Sequence, residues 1–430
     1  MHKYKITAIV LMLVFGAFLP DAVSEEVLTW QDCIREAQKN HPDLISAQEN
    51  VKQLEATKRT TVSSLLPQIN SNVDATRTGT TSTSSSGTTT RRTSNSYSYG
   101  ASGTQLLFDG FKTLDNVKAA SENVKAAQFN YKFTSSGVRL RLRTAFINLL
   151  KAQESLNITK QIYDIRKSNL DLISLRYKSG AEHKGALLTA QANLAQAGFD
   201  VTQANRALET AQRQLIKEIG RTRFSPLRAD GAFKVSDLVK EKPDLELLAK
   251  NNPSLEKLTA QKNAAYYGVN AARANYFPEL SASGGIDESS GHWPPEGRQW
   301  NAGLSVSLPI FEGGLRSSEL AQARAVYNQA QQNERSTRDA VVLALEQAWA
   351  AFQDAAETIE VQKKFLEAAE ERAKIAESQY SLGLLQFDNW TIIEDDLVST
   401  KKAYLNAQAN ALLAEANWVQ AKGDTLEYAQ

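Results

Sequence analysis

The chain repeats itself, and the repeat limits what it can fold into more than any other feature. Lys39-Asn40-His41-Pro42-Asp43-Leu44 returns as Lys250-Asn251-Asn252-Pro253-Ser254-Leu255, at an offset of 211 residues (Pro253 against Pro42). Leu66-Pro67-Gln68-Ile69 returns as Phe277-Pro278-Glu279-Leu280 at the same offset. Phe108-Asp109-Gly110 then matches Phe311-Glu312-Gly313, and Arg176-Tyr177-Lys178-Ser179-Gly180 matches Gln379-Tyr380-Ser381-Leu382-Gly383, both at an offset of 203 (Gly383 against Gly180). Four landmarks in order, with one change of length, define a duplicated unit of about two hundred residues. Each copy reads as a helix, a pair of strands and two very long helices.

The helical stretches have a narrow seam. Leu345, Ala348, Phe352, Ala355, Ile359, Gln362, Leu366, Ala369, Ala373, Ala376 and Tyr380 recur at alternating steps of three and four, the spacing of a coiled coil. Ile393, Leu397, Thr400, Tyr404, Ala407, Ala411, Ala414 and Trp418 do the same after the turn. No proline interrupts Lys112 to Ser179 or Leu315 to Leu382, so each run could reach roughly 100 Å. A helix of that length cannot stand alone and must lie against partners. Gly180 and Gly383 supply the permissive backbone for the reversals.

Between the first helix and the long hairpin of each copy, the period drops to two. Ala302, Leu304, Val306, Leu308 and Ile310 share one face, as do Leu280, Ala282, Gly284 and Ile286 on the strand before. In the first copy Ile69, Val73 and Ala75 face one way, and Tyr97, Tyr99, Ala101 and Leu107 repeat the pattern. The strand pairs run over about 68–108 and 279–311. Thr78 to Thr90 is almost entirely Thr, Ser and Gly and reads as a solvated loop. Four strands are too few for a closed barrel, whereas three copies give twelve and leave no edge. The competing reading is two surface hairpins on a helical rod.

The first 24 residues read as a secretory signal: Lys3 and Lys5, an apolar stretch from Ile6 to Leu19, then Ala22-Val23-Ser24. A retained anchor is the alternative. Domains then follow as 1–24 signal, 25–220 first repeat with its tip near 180, 221–244 an inter-repeat segment, 245–425 second repeat with its tip near 383, and 426–430 a tail. Removing Lys3, Lys5 and Asp21 from 49 basic and 48 acidic side chains leaves 47 of each. That balance gives no electrostatic case for nucleic acid. The single cysteine, Cys33, excludes an internal disulfide and reads as a small apolar core residue. His2, His41, His183 and His292 lie in separate segments without metal-ligand spacing. No phosphate loop, nucleophile elbow or catalytic carboxylate pair appears, so neither an enzyme nor a cofactor is expected.

These landmarks, in this order and spacing, resemble the bacterial outer-membrane efflux family, the TolC-like channel proteins, over roughly residues 28 to 425. The resemblance rests on Asn40-x-Pro42 and Asn251-x-Pro253, on Leu66-Pro67 and Phe277-Pro278, on Phe108-Asp109-Gly110 and Phe311-Glu312-Gly313, and on the two glycine tips. It implies a mainly α fold with membrane β. Its unit is a duplicated set of long antiparallel coiled-coil helices plus two β-hairpins, which trimerises into a 12-stranded β-barrel in the outer membrane and an α-helical periplasmic tube. It also implies an exit duct of a tripartite efflux pump or type I secretion system. The partners would be a homotrimer's other copies, a periplasmic adaptor, outer-membrane lipid, and a proton-driven (RND) or ATP-driven (ABC) inner-membrane transporter. Better-known members close their periplasmic end with an arginine two residues after the second-tip glycine, where this chain has Leu385. Members also carry aspartates six and nine residues after that glycine, where this chain has Asn389 and Ile392.

Asp388 is a candidate either for a pore ring or for the N-cap of the last helix. Glu394, Asp395 and Asp396 suit the first turns of that helix and point three ways, so only one or two could face a lumen. Tyr380 reads as seam packing or as a gating hydrogen bond. Glu182, His183 and Lys184 form a polar corner at the first tip, either a solvated turn or, with Gly180, Gly383, Leu384 and Leu385, an adaptor-docking surface. Tyr97, Tyr99, Trp293 and Trp300 suit a membrane-interface girdle, and Trp293 alternatively an exposed loop. The rival function is a soluble periplasmic coiled-coil adaptor.

Overall fold

The computed structural model describes residues 25–235 and 242–428; the signal segment 1–24 lies outside the described residues, as do 236–241 and 429–430. The duplication appears helix for helix. Helices α1 (Trp30–Asn40) and α2 (Pro42–Ser63) precede strands β2 (Gln68–Thr83) and β3 (Thr89–Phe108), then α3 (Lys112–Lys178) and α4 (Lys184–Ile219). In the second copy α5 (Leu245–Lys250) and α6 (Pro253–Ala274) precede β5 (Glu279–Ser290) and β6 (Gly297–Ser307), then α7 (Leu315–Ser381) and α8 (Phe387–Lys422). Helices α3 and α7 are each 67 residues, and α4 and α8 are each 36. At 1.5 Å per residue α3 and α7 extend about 100 Å. Every position of both seams is buried or half-buried, and none is exposed.

Both copies use the same joint at mid-molecule. The chain turns from α1 into α2 at His41, whose Nδ1 accepts the Asp43 N–H, and Pro42 takes the first helical turn. Asn252 does the same before Pro253 and also donates from its side chain to the Ala421 carbonyl. Gly220 and Gly423, each left-handed, end α4 and α8 against these joints. Around them lies the largest core, including Leu28, Ile34, Leu142, Phe146, Leu215 and Ile219. Cys33 is fully buried there, and burial pushes its thiol up to about 12, which fits the inert packing role. Strand β1 (Glu26–Thr29) pairs in parallel with β4 (Leu227–Asp230), tying the inter-repeat segment to the stretch just before α1. Leu426–Tyr428 forms a 3-10 turn with Leu426 buried in this core.

The two strand pairs join into one antiparallel sheet of order β2-β3-β5-β6, leaving β2 and β6 as open edges. Two details differ from the sequence reading. Thr78–Thr90 is not a loop: β2 continues to Thr83 and β3 resumes at Thr89, because paired β-branched threonines satisfy their backbone in a ladder. In the second copy β6 ends at Ser307, so Leu308 and Ile310 lie beyond the ladder. Register aligns one face across all four strands, with rows such as Ser71–Ala101–Ile286–Trp300 and Ile69–Gly103–Gly284–Ala302. That face includes Val73, Tyr97, Tyr99, Leu280, Leu304 and Val306 and is exposed; Ile69, Trp300 and Leu304 are 77, 78 and 73 % accessible. The opposite face is Ser, Thr, Asn, Gln and Gly with Asp74, Glu279, Asp287 and Arg92, and Leu106 at its base.

Candidate functional site

The helices converge at the end remote from the sheet, where two hairpin tips pack on one another. Each tip closes by the same backbone device. Gly180 and Gly383 are left-handed, with φ of 78° and 77°. Ala181 N–H donates to the Arg176 carbonyl at 2.8 Å, and Leu384 N–H to that of Gln379 at 2.9 Å. These are glycine-terminated helix ends, the reason the two motifs share a glycine. His183 then caps α4, its Nδ1 accepting the Ala186 N–H at 3.1 Å. In α8 the cap position falls to Gln386. Asp388 is therefore not the N-cap; it sits exposed in the first turn with no side-chain partner among the described residues, where its charge complements the helix dipole.

Ile173, Ala186 and Ala190 of the first hairpin meet Ala376, Tyr380, Phe387 and Trp390 of the second in one apolar cluster. Leu385 packs against it as part of its apolar wall. Tyr380 is 1 % exposed, and its ring stacks on Trp390 at 4.3 Å and 11°. The Arg176 guanidinium lies over the same ring, 4.8 Å from its centre. Tyr380 Oη donates to Glu182 Oε2 at 3.0 Å, and Arg176 Nη1 donates to the Tyr380 carbonyl at 3.2 Å. Burial and the Glu182 carboxylate together push the Tyr380 phenol well above its ordinary value, so it remains a donor. Glu182 thus leaves the polar corner expected of residues 182–184 and turns inward, while His183 and Lys184 stay exposed with Gly180, Gly383 and Leu384.

Above the tip the acidic trio of α8 points three ways. Asp395 pairs with the buried Arg166 of α3, and Asp396 with Arg372 of α7 at 3.0 Å. Glu394 is buried between them, and burial pushes its carboxyl up despite the nearby Arg166. Each of the two ion pairs fastens α8 to one of its neighbours. Sequence reasoning missed Arg166, Arg176 and Trp390. Arg176 stood inside the first-tip motif, and Trp390 flanks the second turn ten residues after Tyr380, so the signal was a large aromatic on either side of a reversal.

At the other end, Trp293 packs edge-on against Tyr97 and Tyr99 at 6.3 and 6.2 Å from the turn between β5 and β6. Tyr99 also hydrogen-bonds to Glu288, which pairs with Arg298. Trp300 stands in the adjoining row of the same face. No described helix is long and apolar enough to cross a membrane, and no described cluster of His, Cys, Asp and Glu could hold a metal.

An open sheet with one mainly apolar and one polar face, set on a shaft of coiled helices whose two hairpin tips pack on one another, defines a wall segment of a membrane duct. The chain belongs to the outer membrane efflux protein family, matching it over residues 33–221 and 245–426. It is 22% identical over 424 residues to the outer membrane efflux protein BepC of Brucella suis, covering 94% of this chain and 86% of that one. To the outer membrane protein TolC of Escherichia coli K12 it is 25% identical over 389 residues, 84% of this chain and 75% of that one. Its fold superposes on the Campylobacter jejuni CmeC outer membrane channel with a TM-score of 0.81 at 20% identity, covering 91% of this chain and 84% of that one. The chain is thus an outer-membrane efflux protein with a periplasmic shaft, of a family of passive channels rather than enzymes.

Proposed function

We propose that three copies close into a twelve-stranded barrel and a continuous helical tube, and that the duct passes cargo from an inner-membrane transporter and its periplasmic adaptor to the exterior. The observation that carries this is the sheet. Of its two exposed faces one is mainly apolar and the other polar, and both its edges are unpaired, which is unstable for one chain in water and satisfied by closure within lipid. Leu280 to Ser290 spans ten residue steps; at about 3.3 Å per step and a tilt near 40°, that is about 25 Å, the height of an outer-membrane apolar band. A soluble adaptor has no use for such a face. Type I secretion and drug efflux place the same demands on the duct, and cargo is set by the transporter.

The Tyr380–Glu182–Arg176 cluster is the fastening of the periplasmic end. Between the hairpins, a hydrogen bond to a carboxylate contributes about 1.5–3 kcal/mol and the guanidinium over the ring about 1–2, while the Tyr380–Trp390 stack braces the ring within the second hairpin. Together they hold each protomer's tips shut by a few kcal/mol, an amount that adaptor contact at Leu384, His183 and Lys184 could offset. Opening is a parting of the two hairpins about Gly180 and Gly383. Asp388, exposed in the first turn of α8, would ring the aperture and favour cations. Single-channel recording in planar bilayers tests this. A nearly closed wild type beside a markedly more conductive Tyr380→Ala supports it, and equal conductance rejects the fastening.

A further inference from the structure

The β2–β3 hairpin stands taller than its neighbour. Strand β5 pairs with β3 only as far as Tyr97↔Ser290, so β3 residues 89–96 and their β2 partners extend beyond the rest of the sheet. From Ala75 to Phe108 the chain contains no aspartate or glutamate, yet it carries Arg77, Arg91 and Arg92. The register sorts these three. Arg77 pairs with Asn95 and Arg91 with Thr81, in rows that continue the apolar face through Val73–Tyr99 and Ala75–Tyr97. Arg92 pairs with Thr80 on the opposite, polar face. All three are exposed, and none has an ion pair or side-chain hydrogen bond among the described residues.

We propose that Arg77 and Arg91 bind the phosphate groups of lipid headgroups in the outer leaflet. The proposal rests on the apolar face meeting lipid. Given that, the aromatic rows mark the interface. Arg77 lies one row beyond the Ala75–Tyr97 pair, about 7 Å along the strand, at headgroup level. Arg91 lies six residues from Tyr97, about 20 Å further out, where a phosphorylated glycolipid still presents charge. A guanidinium fork matches phosphate bidentately, and the surrounding serines and threonines offer no carboxylate to compete. Each such arginine strengthens attachment to an anionic surface about fivefold. The arginines of a closed trimer would form a collar locking the barrel's height in the membrane.

The test uses the full-length protein in neutral phosphatidylcholine vesicles and in mild detergent. Native mass spectrometry compares retention of bis-phosphorylated lipid A with that of its dephosphorylated form. The wild type retains the phosphorylated lipid preferentially, R77A/R91A loses that preference by about an order of magnitude, and R92A, on the other face of the same strand, keeps it. Equal retention of both lipids by the wild type overturns the proposal, as does an R92A effect matching that of R77A/R91A, or competition by millimolar inorganic phosphate. Protease protection of β3 in the neutral vesicles separates the two failures. Without protection the lipid-facing barrel itself is wrong, whereas protection without phosphate preference removes only the arginine collar.

Discussion

Tyr380 and Glu182 lie 198 residues apart in sequence and are joined by a 3.0 Å hydrogen bond that ties the second hairpin tip to the first. Because the phenol is buried and the carboxylate nearly so, water competes weakly for either partner. Tyr380→Phe removes the bond and keeps the ring on Trp390. It should weaken the closed tip by about 1.5–3 kcal/mol, raising open-channel occupancy about ten- to a hundredfold. Glu182→Gln keeps an acceptor and should give a smaller rise. Conductance traces of the two variants side by side read this order directly, and no rise in either variant would show that packing alone closes the tip.

Glu394 gives the tip a pH dependence of defined sign. Its carboxyl is pushed above the usual range by burial, so the packed tip holds that proton more tightly than an opened, solvated one. The contribution to closure is full below the ordinary value near 4.5 and is lost as pH rises through the raised value. Wild-type conductance should therefore fall as pH is lowered from neutral towards the ordinary value near 4.5. Glu394→Gln should be more tightly closed at neutral pH and flat across that window. A wild type that opens on mild acidification would contradict this.

Gly220 and Gly423 should be far less replaceable than the tip glycines. A Cβ on Gly220 would sit 2.5 Å from the Asn40 carbonyl oxygen, and one on Gly423 would sit 2.4 Å from Pro253 Cδ, each in a left-handed backbone. Alanine at either should cost about 2–4 kcal/mol from strain and overpacking. Gly180 and Gly383 share the backbone but face open space, so alanine there should cost only about 1–2. Thermal unfolding followed by helical circular dichroism ranks the four.

Much of this was legible in the sequence, for physical reasons. A seam spaced three and four says which side of a helix is covered, and it held at every position; a period of two says which side of a strand is apolar, and it held except at Leu107, in a register shift, and at Leu308 and Ile310, beyond the ladder. What a seam does not say is who covers it. Arg176 meeting Tyr380 and Arg166 meeting Asp395 required the hairpins to be laid side by side. Thr78–Thr90 was misread because serine and threonine solvate a loop and line a water-facing strand equally well. Asp388 was displaced from its cap because the turn after Gly383 closes two residues earlier, at Gln386.

The two sheet faces should respond oppositely to charge. Ala302 lies in the apolar row Ile69–Gly103–Gly284–Ala302, and its neighbour Asn301 points to the polar side. Ala302→Arg should cost about 2–4 kcal/mol of membrane assembly, whereas Asn301→Arg should cost little. The yield of folded protein in isolated outer membranes measures both, and equal loss would mean the face assignment is wrong.

Three-fold closure is the central claim, since one chain supplies four strands with two open edges and every role assigned above needs the completed wall. Native mass spectrometry of the full-length protein, released from membranes in mild detergent, tests it most directly. The account predicts a complex of three chains that dissociates only on denaturation; a stable single chain under the same conditions would contradict it.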